Sequence, residues 1–260
     1  MKATFLGTGC AMVLKRYNTC FLLEDDDHKL LVDAGGGSEI LIRLDKLGIP
    51  VTALGGMFVT HSHSDHILGT PWVIRAVATA MAEEGYTGTF TVAACQRTLS
   101  DIRTICEMIL GKKLTKFFDS QILFRQVTDG EALDLAGFHI TAFDMQQFGF
   151  LLDLPEGEHL CFAGDEPVKP STEKYAKGAK WLFSEAYCLH ADRDIYKPYE
   201  RSHVTSLDAG NLAQEMGVRN MVIYHTADYG SDRRDRMTQE AASVFSGNIY
   251  VPEDMEAIQL

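Results

Sequence analysis

A layered α/β fold is what this sequence predicts, on three observations. Apolar runs of strand length recur from one end of the chain to the other. Segments with helical spacing lie among those runs and do not form a block of their own, which argues for sheets covered by helices. The chain has 260 residues, 46% hydrophobic and 23% charged, enough to bury a large core without disulfide staples. No repeat, low-complexity tract or linker interrupts it, so one domain over residues 1–260 is expected.

The elements follow in order. Ala3–Leu6, Cys20–Leu23 and Lys29–Asp33 read as strands of a meander, the last two separated by the acidic turn Asp25-Asp26-Asp27. Gly35-Gly36-Gly37 breaks the pattern, and Ser38 is placed to cap a helix carrying Ile40, Leu41, Leu44 and Leu47 at helical spacing. Met57–Val59 is a short buried strand. Ile67–Met81 is helical in pattern, with Pro71 tolerated in its first turns. Phe90–Ala93 is a strand, and Leu99, Ile102, Ile105, Cys106, Ile109 and Leu110 mark an amphipathic helix. Four strands follow: Ile122–Val127, Phe138–Phe143, Phe148–Leu152 and His159–Ala163, with turns at Asp129-Gly130 and Pro155-Glu156-Gly157. Trp181–Phe183 is a strand, Leu207–Met216 a helix stopped by Gly217, Met221–Tyr224 a buried strand, and Asp235–Phe245 the last helix, before a short strand at Ile249–Val251. Trp72 and Trp181, in apolar runs, are expected in the core.

Composition narrows the function. Lys and Arg number 24 against 36 Asp and Glu, a formal charge of −12. Polyanion binding is driven largely by basic residues neutralising phosphates, so a broad nucleic-acid face is not favoured. Lys112, Lys113 and Lys116 read as a solvated face near a helix end, with a local basic groove as the alternative. The six cysteines form no C-x-x-C pair and mostly sit in apolar runs, as buried free thiols do in a reducing compartment. No run of 18 apolar residues exists, so no membrane span is expected, and the N-terminus lacks the pattern of a secretion signal; a cytoplasmic location is the expectation.

The chemistry concentrates in Thr60-His61-Ser62-His63-Ser64-Asp65-His66, directly after the buried strand 57–59. Positions two apart at a strand end point the same way, so His61 and His63 can aim at one point. Asp65 and His66, at a helix start, can aim at a second point nearby. A chance match to this pattern in such a chain is on the order of one in a thousand. A divalent cation needs more ligands than this loop supplies. Asp165, after the strand ending at Ala163, and His225, after the strand ending at Tyr224, occupy the same kind of position.

These residues together resemble the metallo-β-lactamase superfamily, and within it the ribonuclease Z branch. Phe5-Leu6-Gly7-Thr8-Gly9, Leu31-Val32-Asp33-Ala34-Gly35, the His61–His66 signature, Gly164-Asp165-Glu166-Pro167 and Tyr224-His225-Thr226 carry the resemblance, together with Ser184-Glu185-Ala186 and Ser202-His203-Val204-Thr205. It runs from Met1 to about Ile258. The resemblance implies a four-layer αβ/βα sandwich with the site at the edge between two sheets. It implies that His61 and His63 bind one metal, that Asp65, His66 and His225 bind a second, and that Asp165 bridges them around a water or hydroxide. It implies Glu185 and His203 as a carboxylate-oriented imidazole that serves the leaving oxygen, Asp65 as the group that orients the nucleophile, and a homodimer. Histidine-rich ligation favours Zn2+ at two sites, with Mn2+ and Fe as alternatives because carboxylates participate.

One departure stands out. The family carries a further histidine between the strand 140–143 and the segment 148–150; here that stretch reads Asp144-Met145-Gln146-Gln147. His139 lies too far upstream to replace it, and Gln146 offers only an amide oxygen. Two explanations stay open, a degraded first metal site or a loop absent from this chain. The function expected is a metal-dependent hydrolase of phosphodiester bonds acting on an anionic small molecule or short nucleic acid. The alternatives are hydrolysis of a lactone, thioester or cyclic phosphate, and a metal-binding protein with an impaired site. No long Gly- and Lys-rich arm for gripping transfer RNA is present.

Overall fold

The computed structural model describes residues 1–260. The strands are β1 (Lys2–Gly7), β2 (Cys20–Asp25), β3 (His28–Val32), β4 (Gly56–Phe58), β5 (Phe90–Ala94), β6 (Ile122–Gln126), β7 (Ala132–Leu135), β8 (Phe138–Asp144), β9 (Phe148–Asp153), β10 (His159–Phe162), β11 (Trp181–Glu185), β12 (Asn220–Tyr224), β13 (Asn248–Tyr250) and β14 (Glu256–Gln259). They form two seven-stranded sheets, ordered β14-β1-β2-β3-β4-β5-β6 and β13-β12-β11-β10-β9-β8-β7.

Both sheets obey one plan. The strands β14-β1-β2-β3 and β7-β8-β9-β10 pair antiparallel; short turns join β2 to β3 and β7 through β10, whereas β14 adds to β1 from the far end of the chain. The remaining strands run parallel (β3-β4-β5-β6 and β10-β11-β12-β13). Parallel neighbours need crossovers. The helices Glu39–Lys46, Thr70–Glu83, Gln96–Ile109, Glu173–Ala176, Ser206–Met216 and Arg233–Ala242 lie in them.

Side-chain alternation along the strands builds the layers. On β2, Phe21 and Leu23 face the opposite sheet, where they join Phe150, Phe162, Phe183 and Tyr224 in one buried cluster. Cys20 and Leu22 face outward and pack with Ile40, Leu44, Ile74 and Val77 of the covering helices. On the far side, Leu182, Met221 and Ile223 pack under Ala209, Ala213, Met237 and Ala241. The order is helix, sheet, sheet, helix, the four-layer sandwich expected.

Several elements differ from expectation. The helical pattern from Ile67 is two helices, Ser64–Ile67 and Thr70–Glu83. The break falls at Gly69, whose N–H donates to Gly35 O at 2.8 Å and where a Cβ would sit 1.9 Å from Ala34 O. Ser38 stands at a helix start without a capping hydrogen bond, whereas Thr205 and Asp208 form a capping box that starts Ser206–Met216. The last long helix runs from Arg233 to Ala242 and not from Asp235 to Phe245. The short edge strand β7 and β14, which pairs with β1, were not anticipated. Trp181 is buried, but Trp72 is 42% exposed, because the stripe Val73, Ile74 and Val77 takes the sheet-facing side of its helix. All six cysteines are free and only Cys95 is not fully buried; burial pushes the Cys106 and Cys161 thiols up to about 12.

Gly69→Ala is expected to destabilise the chain by about 1–3 kcal/mol, since the clash is with backbone and only a shift of the helix can relieve it. Denaturant unfolding checks this, and an unchanged midpoint would reject the close approach as the cause of the helix break.

Candidate metal centre

The polar loops of both sheets meet at one edge. Parallel strands β10, β11 and β12 bring Asp165, Glu185 and His225 to the same side, each at or just past a strand end. β4 delivers the loop 60–66. Phe148 N–H donates to Thr60 O at 3.1 Å, which pins the start of β9 against that loop and joins the two sheets. Thr226 N–H donates to Thr8 O at 3.0 Å and Cys10 N–H to Thr226 O at 3.1 Å, which fix the segment carrying His225.

Asp33, at the end of β3, organises the loop from beneath. Its Oδ1 accepts Thr60 N–H at 2.9 Å and its Oδ2 accepts the Thr60 hydroxyl at 2.9 Å. The same Oδ2 accepts His66 Nδ1–H at 2.8 Å. With its proton given to Asp33, the Thr60 oxygen takes His61 Nδ1–H at 2.8 Å. Both rings are thereby tautomerically set, with each Nε2 facing the site. Asp33 and His225 both hold left-handed backbone, at φ 55 and 57. Such conformations are strained for non-glycine residues and persist where the surroundings over-determine them. The motif 31–35 was noted in the sequence, but nothing there marks Asp33 as the partner of both Thr60 and His66.

Three groups of side chains bring their donor atoms within 4.8 Å of one another: His61, His66 and Asp165; Asp65, His66 and His225; Glu185, His203 and His225. His66 Nε2 lies 3.3 Å from both Asp65 Oδ2 and Asp165 Oδ2, and His225 Nε2 lies 3.4 Å from each. His61 Nε2 is 3.8 Å from Asp165 Oδ2. His63 falls outside these groups; exposed, it packs edge-on against His61 with ring centroids 4.4 Å apart. Glu185 is 1% exposed. It accepts Val204 N–H at 2.7 Å on Oε1 and turns Oε2 to His203 Nδ1 at 3.5 Å. His203 stacks on Tyr187, with centroids 4.9 Å apart and planes within 8°.

The electrostatics follow from burial and crowding. Burial, reinforced by His66, depresses His61 to about 3. Burial pushes the Asp65 carboxyl up, but the His225 and His66 rings outweigh it and hold it well below the usual carboxylate range. Asp165 behaves likewise under His66 and His61. Burial favours neutral His66, yet Asp165 and Asp33 overcome it and raise that ring well above its ordinary value. Burial works against a charged His203, and Glu185 reverses it to a net upward shift.

The donor set fits a divalent cation. His61 Nε2, His66 Nε2, His225 Nδ1 and Asp165 Oδ1 are buried with no partner at hydrogen-bond geometry, although carboxylates lie within 3.3–3.8 Å of the first two. Buried polar groups in such number are ordinarily satisfied, and imidazole with carboxylate is ligand chemistry for divalent transition metals. In the turn after β8, Gln146 is exposed and Gln147 is buried, and both line the cavity that His61 and His63 border. His139 is exposed and bonded to Asp134 at 2.8 Å, away from the site.

Asp33→Ala is expected to weaken metal binding by roughly 10–100-fold, as for loss of a carboxylate behind a ligating histidine. Chelator-buffered titration with elemental analysis measures it; wild-type affinity in a folded variant would show that Asp33 does not position His66.

Comparison with known proteins places the chain. The family model described as anti-Pycsar protein Apyc1 matches residues 1–237, and the chain belongs to that family. A ribonuclease Z of Thermobifida fusca is 27% identical over 308 aligned residues, covering 96% of this chain and 92% of the relative. The metallo-β-lactamase fold protein YhfI of Bacillus subtilis superposes with a TM-score of 0.77 at 20% identity, covering 99% of this chain and 98% of that one. The short form of human tRNase Z superposes with a TM-score of 0.75 at 20% identity, covering 100% and 99%. The fold is that of the metallo-β-lactamases.

Proposed function

We propose that this member of the Apyc1 family is a metal-dependent hydrolase of phosphodiester bonds whose substrate is a small anion or a short nucleic acid. The observation that carries the reading is the convergence of buried His61, Asp65, His66, Asp165 and His225 at one edge, next to the Glu185–His203 pair. The ribonuclease Z relative supports the bond type.

In this reading His61, His63 and Asp165 hold one cation, and Asp65, His66, His225 and Asp165 hold a second. Zinc is the metal that a histidine-rich set favours, with manganese or iron as alternatives. When bound, such ions lower the pKa of water to near ~7 and neutralise a phosphate. The chain's own side chains do the rest. Asp65 turns Oδ2 to His66 and His225, and its other oxygen orients the attacking water. Glu185 raises His203 above the ordinary imidazole value against burial, which favours the protonated ring that would serve the leaving oxygen. Glu185 is the positioning residue for that ring, and Tyr187 stacks behind it.

Substrate size is argued from charge. The formal charge is −12. Lys113 is paired with Glu83 at 2.7 Å and Lys116 lies over the Phe117 ring, so this lysine cluster is a solvated face. A cavity of about 330 Å3 opens beside His61 and His63, of a size for a small molecule. This favours a small anion, including a cyclic phosphate, over a folded RNA. A lactone or thioester is the second reading, favoured by the same cavity. A homodimer, implied by the resemblance, and a cytoplasmic location, expected from the unpaired cysteines, belong to the proposal.

His63→Ala is expected to cost about one metal equivalent by elemental analysis; unchanged stoichiometry would remove His63 from the ligand set. His203→Ala is expected to keep its metal while turnover of bis(p-nitrophenyl) phosphate falls roughly 10²–10⁴-fold, the usual contribution of a general acid. Unaltered turnover would take His203 out of the mechanism, and activity on a lactone but on no phosphodiester would favour the second reading.

A further inference from the structure

One buried polar atom beside the cluster has no role in the reading above. Gln147 is 6% exposed, and its Oε1 has no hydrogen-bond partner. Leaving such a group unsatisfied is destabilising. The turn that delivers it is held firmly. Met145 N–H donates to Gln147 O at 2.8 Å, Gln146 N–H donates to Asp144 Oδ1 at 2.7 Å, and Gln146 takes the left-handed conformation, φ 86. On one side Phe148 N–H donates to Thr60 O at 3.1 Å, so Gln147 borders the residue that precedes His61. On the other, a Cβ at Gly164 would lie 3.9 Å from Gln147 Oε1, so the amide oxygen reaches the residue that precedes Asp165. His61, His63, Gln147 and Glu166 line one cavity of about 330 Å3.

We propose that Gln147 Oε1 is a metal ligand of the His61/His63 lobe, and that this lobe is a mixed nitrogen and oxygen site with weaker preference for zinc than its neighbour. The inference rests on the cation-cluster reading above. An amide oxygen is a hard, neutral donor. Carbonyl and carboxylate oxygens suit manganese, magnesium and calcium, whereas imidazole suits zinc. The lobe of Asp65, His66 and His225 offers two imidazoles and two carboxylates, counting Asp165. The lobe of His61 and His63 shares Asp165; Gln146, Gln147 and Glu166 line the cavity beside it, and of these three only Gln147 is buried with an unpartnered oxygen. The two lobes therefore differ in affinity, and the gap between zinc and manganese is narrower at the second. The shortened turn is then a rebuilt ligand site and not merely a lost one.

The test is chelator-buffered titration of the metal-stripped full chain with Zn2+ alone and with Mn2+ alone. Bound metal is read by elemental analysis for wild type, Q147H, Q147L and Q147E, with circular dichroism confirming the fold. Wild type is expected to show one tight and one weaker zinc class. Q147L should weaken the second class for both metals by about tenfold or more while leaving the first unchanged. Q147H should tighten zinc at the second class and loosen manganese. Should Q147H fail to fold, Q147E decides, since a carboxylate there should tighten manganese. A single class of zinc site in wild type, or second-class affinities that match wild type in Q147L, would overturn the assignment of Gln147. Absence of metal uptake by wild type itself would instead overturn the cation-cluster reading, and the inference with it.

Discussion

Two carboxylates, Asp65 and Asp165, are buried within contact of the same imidazoles, and the edge of the sandwich is organised around balancing them. Each is almost fully excluded from water. An uncompensated ion in that position costs several kcal/mol. The compensation available from the chain is His66, whose Nε2 lies 3.3 Å from both carboxylates while Nδ1–H is held by a third, Asp33. Three acids around one ring raise it and favour the imidazolium. A divalent cation would do the same balancing with more charge, and its binding must expel that proton. In the proposed reading the ring exchanges a proton for a metal, and the hydrogen bond to Asp33 holds Nδ1.

That balance needs ligands from distant parts of the chain to hold position within fractions of an ångström. The sandwich supplies this by making its parallel halves end together. β10, β11 and β12 stop at one level, and the bridges from Thr60 to Phe148 and from Thr8 to Thr226 tie the loops of one sheet to those of the other. The large aromatic cluster between the sheets, with Phe5, Phe21, Phe162, Phe183 and Tyr224, fixes the spacing beneath. Left-handed backbone at Asp33 and His225 is held in place by these contacts, at roughly 1–2 kcal/mol each.

Legibility in the sequence followed range. The fold class and most strands were readable because alternation and apolar runs are local. The 61–66 loop was readable because it gathers four donors in six residues. Asp165 and His225 stood out only when read with that loop, since a strand-end acid or histidine alone is ordinary, and Glu185 and His203 needed the resemblance. Asp33 was present in a quoted motif, yet its bonds to Thr60 and His66 arise only when β3 and β4 pair. Gln146 and Gln147 show the limit of one-residue reasoning. Neighbours in extended chain face opposite sides, and the left-handed turn at Gln146 decides which amide enters the site. The break at Gly69 and the exposure of Trp72 were hidden for a related reason. Helical periodicity records which side is apolar, not whether Ala34 O leaves room for a side chain.

Charge also bears on what can reach the site. A field from a net charge of −12 repels anions at a distance, but salt screens it within about 8–10 Å. A small anion carries one or two charges through that zone, and the imidazole-lined edge acts on it at contact. A long polyanion keeps many phosphates in the repulsive region at once, on a chain whose 24 Lys and Arg are outnumbered by 36 Asp and Glu. The penalty therefore grows with the length of the substrate while the attraction does not. The acidity of the surface and the histidine-rich edge are consistent with the small-anion reading proposed above.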